Sequence, residues 1–152
     1  MKLVLTQELI REIEMHGENS YPNEGVGFLL GKIEGNARRV LALIPARNER
    51  SGEAARRRYQ LSPQAMLAAE NQAVEQQMDL LGIFHSHPDH PNQPSETDRE
   101  WAIPWLSYLI TSVVDGRATE SRSWRLKDDR SGFDQELVAI ENENSPERVL
   151  EK

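Results

Sequence analysis

The sequence predicts a mixed α/β domain with about six β-strands and two or three helices. Three observations lead to this class. The 152 residues fit one domain with a sizeable core, helical and strand patterns alternate along the chain, and neither an internal repeat nor a linker divides it. We therefore expect a single domain over residues 1–140, followed by a polar, flexible tail over residues 141–152.

The first part of the chain carries signals for one helix and one β-hairpin. Thr6 precedes a helical pattern of apolar residues, as an N-cap does, and Gly17 is a typical helix stop. Residues 26–33 form a mostly apolar run that indicates a buried strand. Residues 39–44 are its expected hairpin partner, and Pro45 is expected to end that strand.

The rest of the chain alternates between the two patterns. Residues 58–61 fit a short strand, and Ser62, followed by a proline, marks the start of a helix. We expect that helix to run to about Met78, with Leu67, Val74 and Met78 on one face. The remaining patterns predict strands at 80–85, 108–114, 121–126 and 136–140, and a short helix from Ser95 to Trp101.

Composition argues against several classes of protein. A formal net charge of −7 disfavours nucleic-acid binding, which depends on a basic surface. No apolar run reaches the ~18 residues of a membrane span, and the start has no signal-peptide pattern, so we expect a cytoplasmic protein. The chain has no cysteine, so any bound metal must be held by nitrogen and oxygen.

An arginine cluster departs from this acidic background. Its members are Arg47, Arg50, Arg56, Arg57 and Arg58. The cluster fits either a solvated loop or a patch that docks an acidic partner.

The segment that starts with His85-Ser86-His87-Pro88 carries the clearest chemical signal. In a strand, residues two apart face the same side, so His85 and His87 can converge on one metal ion. Asp98 can supply a third, anionic ligand from a later element. Three such ligands leave one coordination position for water, which is the arrangement of catalytic zinc.

Other metal proteins share parts of this pattern. The letters from His85 to His90 match the H-x-H-x-D-H motif of metallo-β-lactamases, and barrel amidohydrolases also begin from His-x-His. Both need a longer chain, and the first needs histidines downstream, whereas none follows His90. A facial triad of two histidines and a carboxylate for non-haem iron remains open on these residues alone.

The residues from Ser95 to Asp98 also have a purely structural interpretation. Ser-x-x-Asp resembles a capping box at a helix start. The two interpretations are compatible, because a ligand in the first turn of a well-capped helix is held rigidly. The prolines at 88, 91 and 94 would stiffen the loop between strand and helix.

The combined spacing H-S-H-P-x(6)-S-x-x-D resembles the JAMM motif of the MPN-plus (JAB/MPN) metalloproteases. That family also has an upstream segment of the type P-x-E-x-x-G-x-L-x-G, and residues 22–31 match it. Glu24 corresponds to the glutamate that acts as the catalytic base in the family. The resemblance spans residues 22–98, and a weaker similarity continues through the later predicted strands. Val26 stands where short prokaryotic members often carry a cysteine.

The resemblance implies a curved mixed β-sheet flanked by helices and one Zn²⁺ held by His85, His87, Asp98 and a water. Glu24 would be the general base, and Ser95 would stabilise the oxyanion. The substrate implied is an amide after the C-terminal glycine of a ubiquitin-like or sulfur-carrier protein with a Gly-Gly tail.

Two other functions remain compatible with this resemblance. Some MPN domains have lost the metal and serve as scaffolds, and a peptidase could act on unrelated small amides. Asp89 and His90 fall in the variable gap of the motif, where we expect loop residues.

Overall fold

The computed structural model describes residues 1–142 and 145–151 of the chain. Its helices are α1 (Gln7–Ser20), α2 (Ala54–Arg57), α3 (Pro63–Glu75) and α4 (Glu96–Trp101). Its strands are β1 (Lys2–Thr6), β2 (Val26–Glu34), β3 (Ala37–Ala46), β4 (Asp79–Pro88), β5 (Ser107–Val114), β6 (Arg117–Leu126), β7 (Phe133–Asn142) and β8 (Ser145–Glu151). None of the described helices is long and apolar enough to cross a membrane.

The strands form one mixed sheet that closes on itself. The spatial order is β1-β3-β2-β4-β5-β6-β7, and β7 pairs back onto β1. Strand β1 is parallel to both of its neighbours and β4 is parallel to β5, whereas the other pairs are antiparallel. The predicted α/β class is confirmed. The expectation of about six strands in a curved sheet is wrong, because β1 closes seven strands into a ring. Strand β8, within the segment predicted as a tail, pairs with β7.

Helix α1 begins as predicted but ends later. The Thr6 hydroxyl accepts a hydrogen bond from the Leu9 amide at 3.1 Å, as an N-cap does. The helix continues past Gly17 to Ser20. A Cβ at Gly17 would lie 3.1 Å from Ser86 and Val113 side-chain carbons, so this glycine allows the helix to pack closely on the sheet rather than ending it.

Two predicted features around β3 and α2 differ from the structure. Strand β3 continues through Pro45, where its second edge has no described partner and a proline costs no ladder hydrogen bond. The predicted strand at residues 58–61 is an extended loop, and the nearby regular element is the short helix α2.

Helix α3 starts at Ser62 as predicted, and the Ser62 hydroxyl accepts a hydrogen bond from the Ala65 amide. The helix ends at Glu75, three residues earlier than expected. Its packed face carries Ala69 and Ala73, because small side chains let the helix approach the sheet. The face expected from the apolar pattern is largely exposed, with Leu67 at 58% and Val74 at 74%.

Strand β2 lies in the centre of the sheet and is buried on both faces. Leu29 belongs to the apolar cluster under α1, whereas Val26, Phe28 and Leu30 belong to the cluster under α3. Two glycines of this strand have no room for a side chain. A Cβ at Gly27 would lie 2.2 Å from the Phe84 ring, and one at Gly31 would lie 1.8 Å from the Arg39 carbonyl oxygen. These contacts explain why the upstream motif has glycine at positions 27 and 31.

Candidate active site

The register between β2 and β4 brings the two sequence motifs together. Val26 pairs with His85 in an antiparallel arrangement, and the Ser86 amide donates to the Gly25 carbonyl at 3.0 Å. Because the strands run in opposite directions, Glu24 lies beside His87 at the same end of the sheet. The Ser86 side chain points to the other face, where its hydroxyl accepts a hydrogen bond from the Gly25 amide at 2.8 Å.

The two histidines and Asp98 form a compact group of ligand-type atoms. The Nε2 atoms of His85 and His87 are 3.2 Å apart. The Asp98 carboxylate oxygens lie 3.3 Å from His85 Nε2 and 3.1 Å from His87 Nε2. A tetrahedral zinc with bonds of about 2.0–2.1 Å would hold its ligand atoms about 3.3 Å apart. These spacings therefore fit a zinc ion.

Glu24 belongs to the same group. One carboxylate oxygen of Glu24 and one ring nitrogen each of His85 and His87 lie within 4.8 Å of one another. Glu24 is buried, with 3% of its surface exposed, and its Oε1 has no hydrogen-bond partner. Burial raises the pKa of Glu24 to about 8 against the opposing effect of His87. A carboxyl with such a pKa can accept and return a proton near neutral pH.

Asp98 differs sharply from Glu24 although both carboxyls are buried. Burial alone would raise the pKa of Asp98, but the adjacent imidazoles of His85 and His87 outweigh it and hold that pKa well below its usual range. Asp98 is therefore an anion, which suits a metal ligand. The pKa values of the two buried carboxyls of the site are therefore shifted in opposite directions.

The two imidazoles are oriented by different contacts. His87 Nδ1 donates to the Pro91 carbonyl at 2.8 Å, which directs Nε2 at the group. Burial would lower the pKa of His87, but the hydrogen bond and the charge of Asp98 outweigh it and raise that pKa above its usual value. His85 Nδ1 is buried without a hydrogen-bond partner. Its ring instead packs against Tyr59, with centroids 4.7 Å apart. Burial lowers the pKa of His85, so this ring is neutral and able to bind metal.

Asp98 and Ser95 are fixed by the predicted capping box. The Ser95 hydroxyl accepts a hydrogen bond from the Asp98 amide at 3.0 Å, and Asp98 Oδ2 accepts one from the Ser95 amide at 2.8 Å. The helix-cap interpretation is confirmed, and the same cap directs the Asp98 carboxylate at the two histidines. Ser95 uses its oxygen only as an acceptor in the cap, so its hydroxyl proton remains available to a substrate.

The loop that carries Glu24 is tied to its surroundings from three sides. The Glu24 amide donates to the Ala55 carbonyl at 2.7 Å, and its carbonyl accepts from Asn48 Nδ2 at 3.0 Å. Asp89 is a loop residue, as expected, with a φ of 58°, and it accepts a hydrogen bond from the Tyr21 hydroxyl at 2.6 Å. These contacts fix the backbone on both sides of the carboxyl.

Two cavities open beside the group. The first, about 540 Å³, is lined by six residues with polar or charged side chains and two prolines, and we call it the polar cavity after these side chains: Glu24, Arg57, His87, His90, Pro91, Gln93, Pro94 and Ser95. The second, about 310 Å³, is mainly apolar and includes Arg50, Tyr59, Leu61, Met66, Ile83, Trp101, Ile103 and Tyr108. Tyr59 lines the apolar cavity and also packs on His85, so the apolar cavity reaches the edge of the group.

Sequence reasoning missed two residues of this site, Asn48 and Tyr59. Both lie in the loop between β3 and α3, outside any recognisable motif. Asn48 bonds Glu24 and also accepts from the amides of Arg50 and Gln60, so it joins the two ends of the loop. A polar asparagine next to a proline-ended strand is a common loop residue, and no local signal distinguishes this one.

Tyr59 should act as a positioning residue for His85. Replacing Tyr59 by leucine removes the ring that holds His85, and we expect zinc affinity to fall about two- to tenfold, the equivalent of one aromatic contact. Tyr59→Phe keeps the ring and should retain wild-type affinity. A zinc titration against a competing chelator measures the zinc affinity of both variants. If the leucine and phenylalanine variants bind zinc equally well, Tyr59 does not position His85.

Comparisons with known proteins agree with the geometry. The family described as prokaryotic homologues of the JAB domain matches residues 6–127. A desampylase from Pyrococcus furiosus is 32% identical over 108 residues, covering 68% of this chain and 71% of that protein. A probable TtuB-protein conjugate cleaving protease from Thermus thermophilus is 30% identical over 114 residues, covering 73% and 72%.

A solved structure gives the same result for the fold. The solution structure of a protein from Desulfitobacterium hafniense superposes with a TM-score of 0.80 at 31% identity. The match covers 93% of this chain and 94% of that protein. The two proteins therefore share their fold over nearly the whole length of both chains.

Proposed function

The chain belongs to the prokaryotic JAB-domain family and is a hydrolase of the JAMM type, and from this premise we propose a specific reaction. We propose that it is a zinc-dependent isopeptidase that hydrolyses the amide after the C-terminal glycine of a ubiquitin-like or sulfur-carrier protein. The observation that supports this most strongly is geometric: a carboxylate oxygen of the buried Glu24 and one ring nitrogen each of His85 and His87 lie within 4.8 Å of one another.

The metal would be held by His85, His87 and Asp98. Their donor atoms are two imidazole nitrogens and one carboxylate oxygen, a ligand set typical of catalytic zinc, which leaves a position open. Zinc bound there would lower the pKa of its water towards ~7 and polarise the substrate carbonyl. Glu24 stays outside this ligand set in the proposal, because it stands at the position that is the catalytic base in the JAMM family.

Glu24 and Ser95 would carry the proton and the developing charge. Glu24 accepts a proton from the attacking water and returns it to the nitrogen of the leaving amine. The Ser95 hydroxyl donates to the oxygen that becomes negative as the carbonyl is attacked. Both residues line the same polar cavity, so a carbonyl placed there would lie between them.

The names of the relatives support the substrate class. One relative is a desampylase and another is a probable protease of TtuB-protein conjugates. A C-terminal glycine pair has no side chains, so it needs little space in the polar cavity beside Glu24 and Ser95. The apolar cavity beside Tyr59 is large enough for aliphatic side chains that precede the glycines.

The proposal is tested with a carrier protein joined by its C-terminal glycine to a lysine of a reporter. We expect the zinc-loaded chain to release the intact carrier, with the cleavage position read by mass spectrometry. A conjugate that ends in Ala-Ala is the matched control and should be cut more slowly. Removing metal with a chelator should abolish cleavage, and zinc should restore it.

Three outcomes would contradict the proposal. A purified chain that binds no zinc, with no gain on adding it, would favour a scaffold domain. Restoration by iron(II) but not zinc would favour the facial-triad alternative. Equal turnover of a small unrelated amide and the Gly-Gly conjugate would place the chain among general peptidases.

A further inference from the structure

The loop between β3 and α3 carries a concentration of positive charge that the proposed reaction does not use. We call residues 47–58 the arginine segment, since it contains Arg47, Arg50, Arg56, Arg57 and Arg58. With Glu49 and Glu53 its formal charge is +5 − 2 = +3, so the rest of the chain carries −7 − 3 = −10. The arginine segment is therefore a basic island on an acidic protein.

The side chains of these arginines have no carboxylate partner among the described residues. Four of the five are exposed, whereas Arg50 is half-buried with its Nε buried and unpartnered. Arginines elsewhere in the described chain are mostly engaged. Arg11, Arg39, Arg99, Arg122 and Arg125 pair with carboxylates, and Arg38 and Arg130 donate to backbone carbonyls. The unpaired charge is thus concentrated in one loop.

The arginine segment is held at the mouth of the site. Arg57 lines the polar cavity together with Glu24, and Arg50 lines the apolar cavity. Asn48 and the buried Ala55 bond the carbonyl and the amide of Glu24, so the segment is anchored directly to the catalytic loop. A substrate tail that enters the two cavities therefore meets Arg57 in the first and Arg50 in the second.

We propose that the arginine segment binds an acidic face of the carrier protein beside its C-terminal tail. This inference rests on the proposed function and adds a rule of selection to it. Clustered guanidinium groups without internal partners attract an opposite charge and speed its encounter. They also repel carriers whose tail is surrounded by lysine or arginine, so charge would discriminate among carriers that share the same two glycines.

The test uses binding, measured in a Glu24→Gln background so that no conjugate is consumed. The probes are two forms of one ubiquitin-like carrier with the same Gly-Gly tail, one with acidic residues around the tail and one with lysines at those positions. The variant is Arg47→Glu with Arg56→Glu, because neither residue lines either of the two cavities described beside the site. The control is Arg11→Glu with Arg122→Glu, which makes the same change of charge elsewhere.

We expect the arginine-segment variant to lose about tenfold in affinity for the acidic carrier and to gain affinity for the lysine carrier. The control should change either affinity by less than about twofold. The difference should shrink as salt rises from roughly 0.05 M to 0.5 M, because exposed charges are screened. Thermal melting checks that both variants remain folded.

Equal losses for both carriers, or equal effects of variant and control, would overturn the inference. Binding of a single-stranded oligonucleotide as tightly as the acidic carrier would also overturn it, in favour of a general polyanion site. If the wild-type chain cleaves the conjugate but the arginine-segment variant keeps the wild-type preference between the two carriers, the proposed function stands and this inference is wrong. If the variant changes that preference but the wild-type chain cleaves no conjugate, the docking role stands and the proposed function is wrong.

Discussion

Replacing Glu24 by glutamine is expected to lower kcat for conjugate cleavage about 10²- to 10⁴-fold, while the protein keeps its bound zinc. Glutamine has the shape of glutamate, but it cannot accept the proton of the attacking water. The metal ligands of the proposal are untouched, so metal content measured by emission spectroscopy should stay at one zinc per chain. Turnover comparable to the wild type would show that another group acts as the base.

The stability of the same variant should also depend on pH, because the Glu24 carboxyl is buried. In the metal-free protein the pKa of Glu24 is raised from about 4.5 to about 8, so the folded state holds a proton that the unfolded chain releases between those values. The contribution of Glu24 to stability is therefore complete below about pH 4.5 and falls as pH rises through about 8.

The free energy of unfolding should reflect this loss. Relative to the wild type, metal-free Glu24→Gln should gain stability by roughly 1.4 kcal/mol per pH unit across that window and level off above it. Denaturant unfolding of both proteins at pH 4 to 9 measures the difference. A difference that does not change with pH would mean that Glu24 is not held in a low-dielectric environment.

The parts of the site that the sequence predicts are those set by short spacing. His85 and His87 are two apart on one strand, and Ser95 and Asp98 are three apart at a helix start, so local geometry alone determines their relative positions. Glu24 was found only through its resemblance to a family segment. Its position depends on the register between β2 and β4, which no local rule supplies.

The parts that the sequence did not predict depend on distant contacts. Strand β1 has Leu3, Val4 and Leu5 almost fully buried, and it lacks the polar-apolar alternation of a half-exposed strand. Its role in closing the ring requires partners at both ends of the chain, β3 and β7. The prediction that Leu67 and Val74 face the core in helix α3 is wrong. Ala69 and Ala73 face the sheet instead, because their small side chains let the helix pack more closely.

Arg38 illustrates the same limit. A basic residue in a strand would ordinarily be expected at the surface, but Arg38 is buried and donates to the carbonyls of Leu81 and Trp105. The guanidinium links β3 to the end of β4 and to the segment before β5. Such a role is visible only when the carbonyls it satisfies are in place.

Variants of Asp98 can distinguish its proposed role as a metal ligand from its role in the helix cap. Asp98→Asn keeps an oxygen that can accept the Ser95 amide, but it loses the negative charge that attracts a cation. We expect zinc affinity to fall by more than about 100-fold, since even the loss of an outer-shell partner costs about 10–100-fold. Cleavage at limiting zinc should fall in parallel. Glu100→Gln, an exposed change of the same kind on the same helix, should have no effect on zinc binding.

Asp98→Ala removes the ligand and the carboxylate half of the capping box, whereas the Ser95 hydroxyl can still accept from the backbone amide of residue 98. Comparing it with Asp98→Asn therefore isolates the contribution of that side chain to the cap. In the metal-free proteins the alanine variant should be less stable than the asparagine variant by about 1 kcal/mol. Both should bind zinc equally poorly, because neither offers a carboxylate to His85 and His87. If the asparagine variant retains tight zinc while only the alanine variant loses it, Asp98 holds the helix rather than the metal, and Glu24 becomes the candidate third ligand.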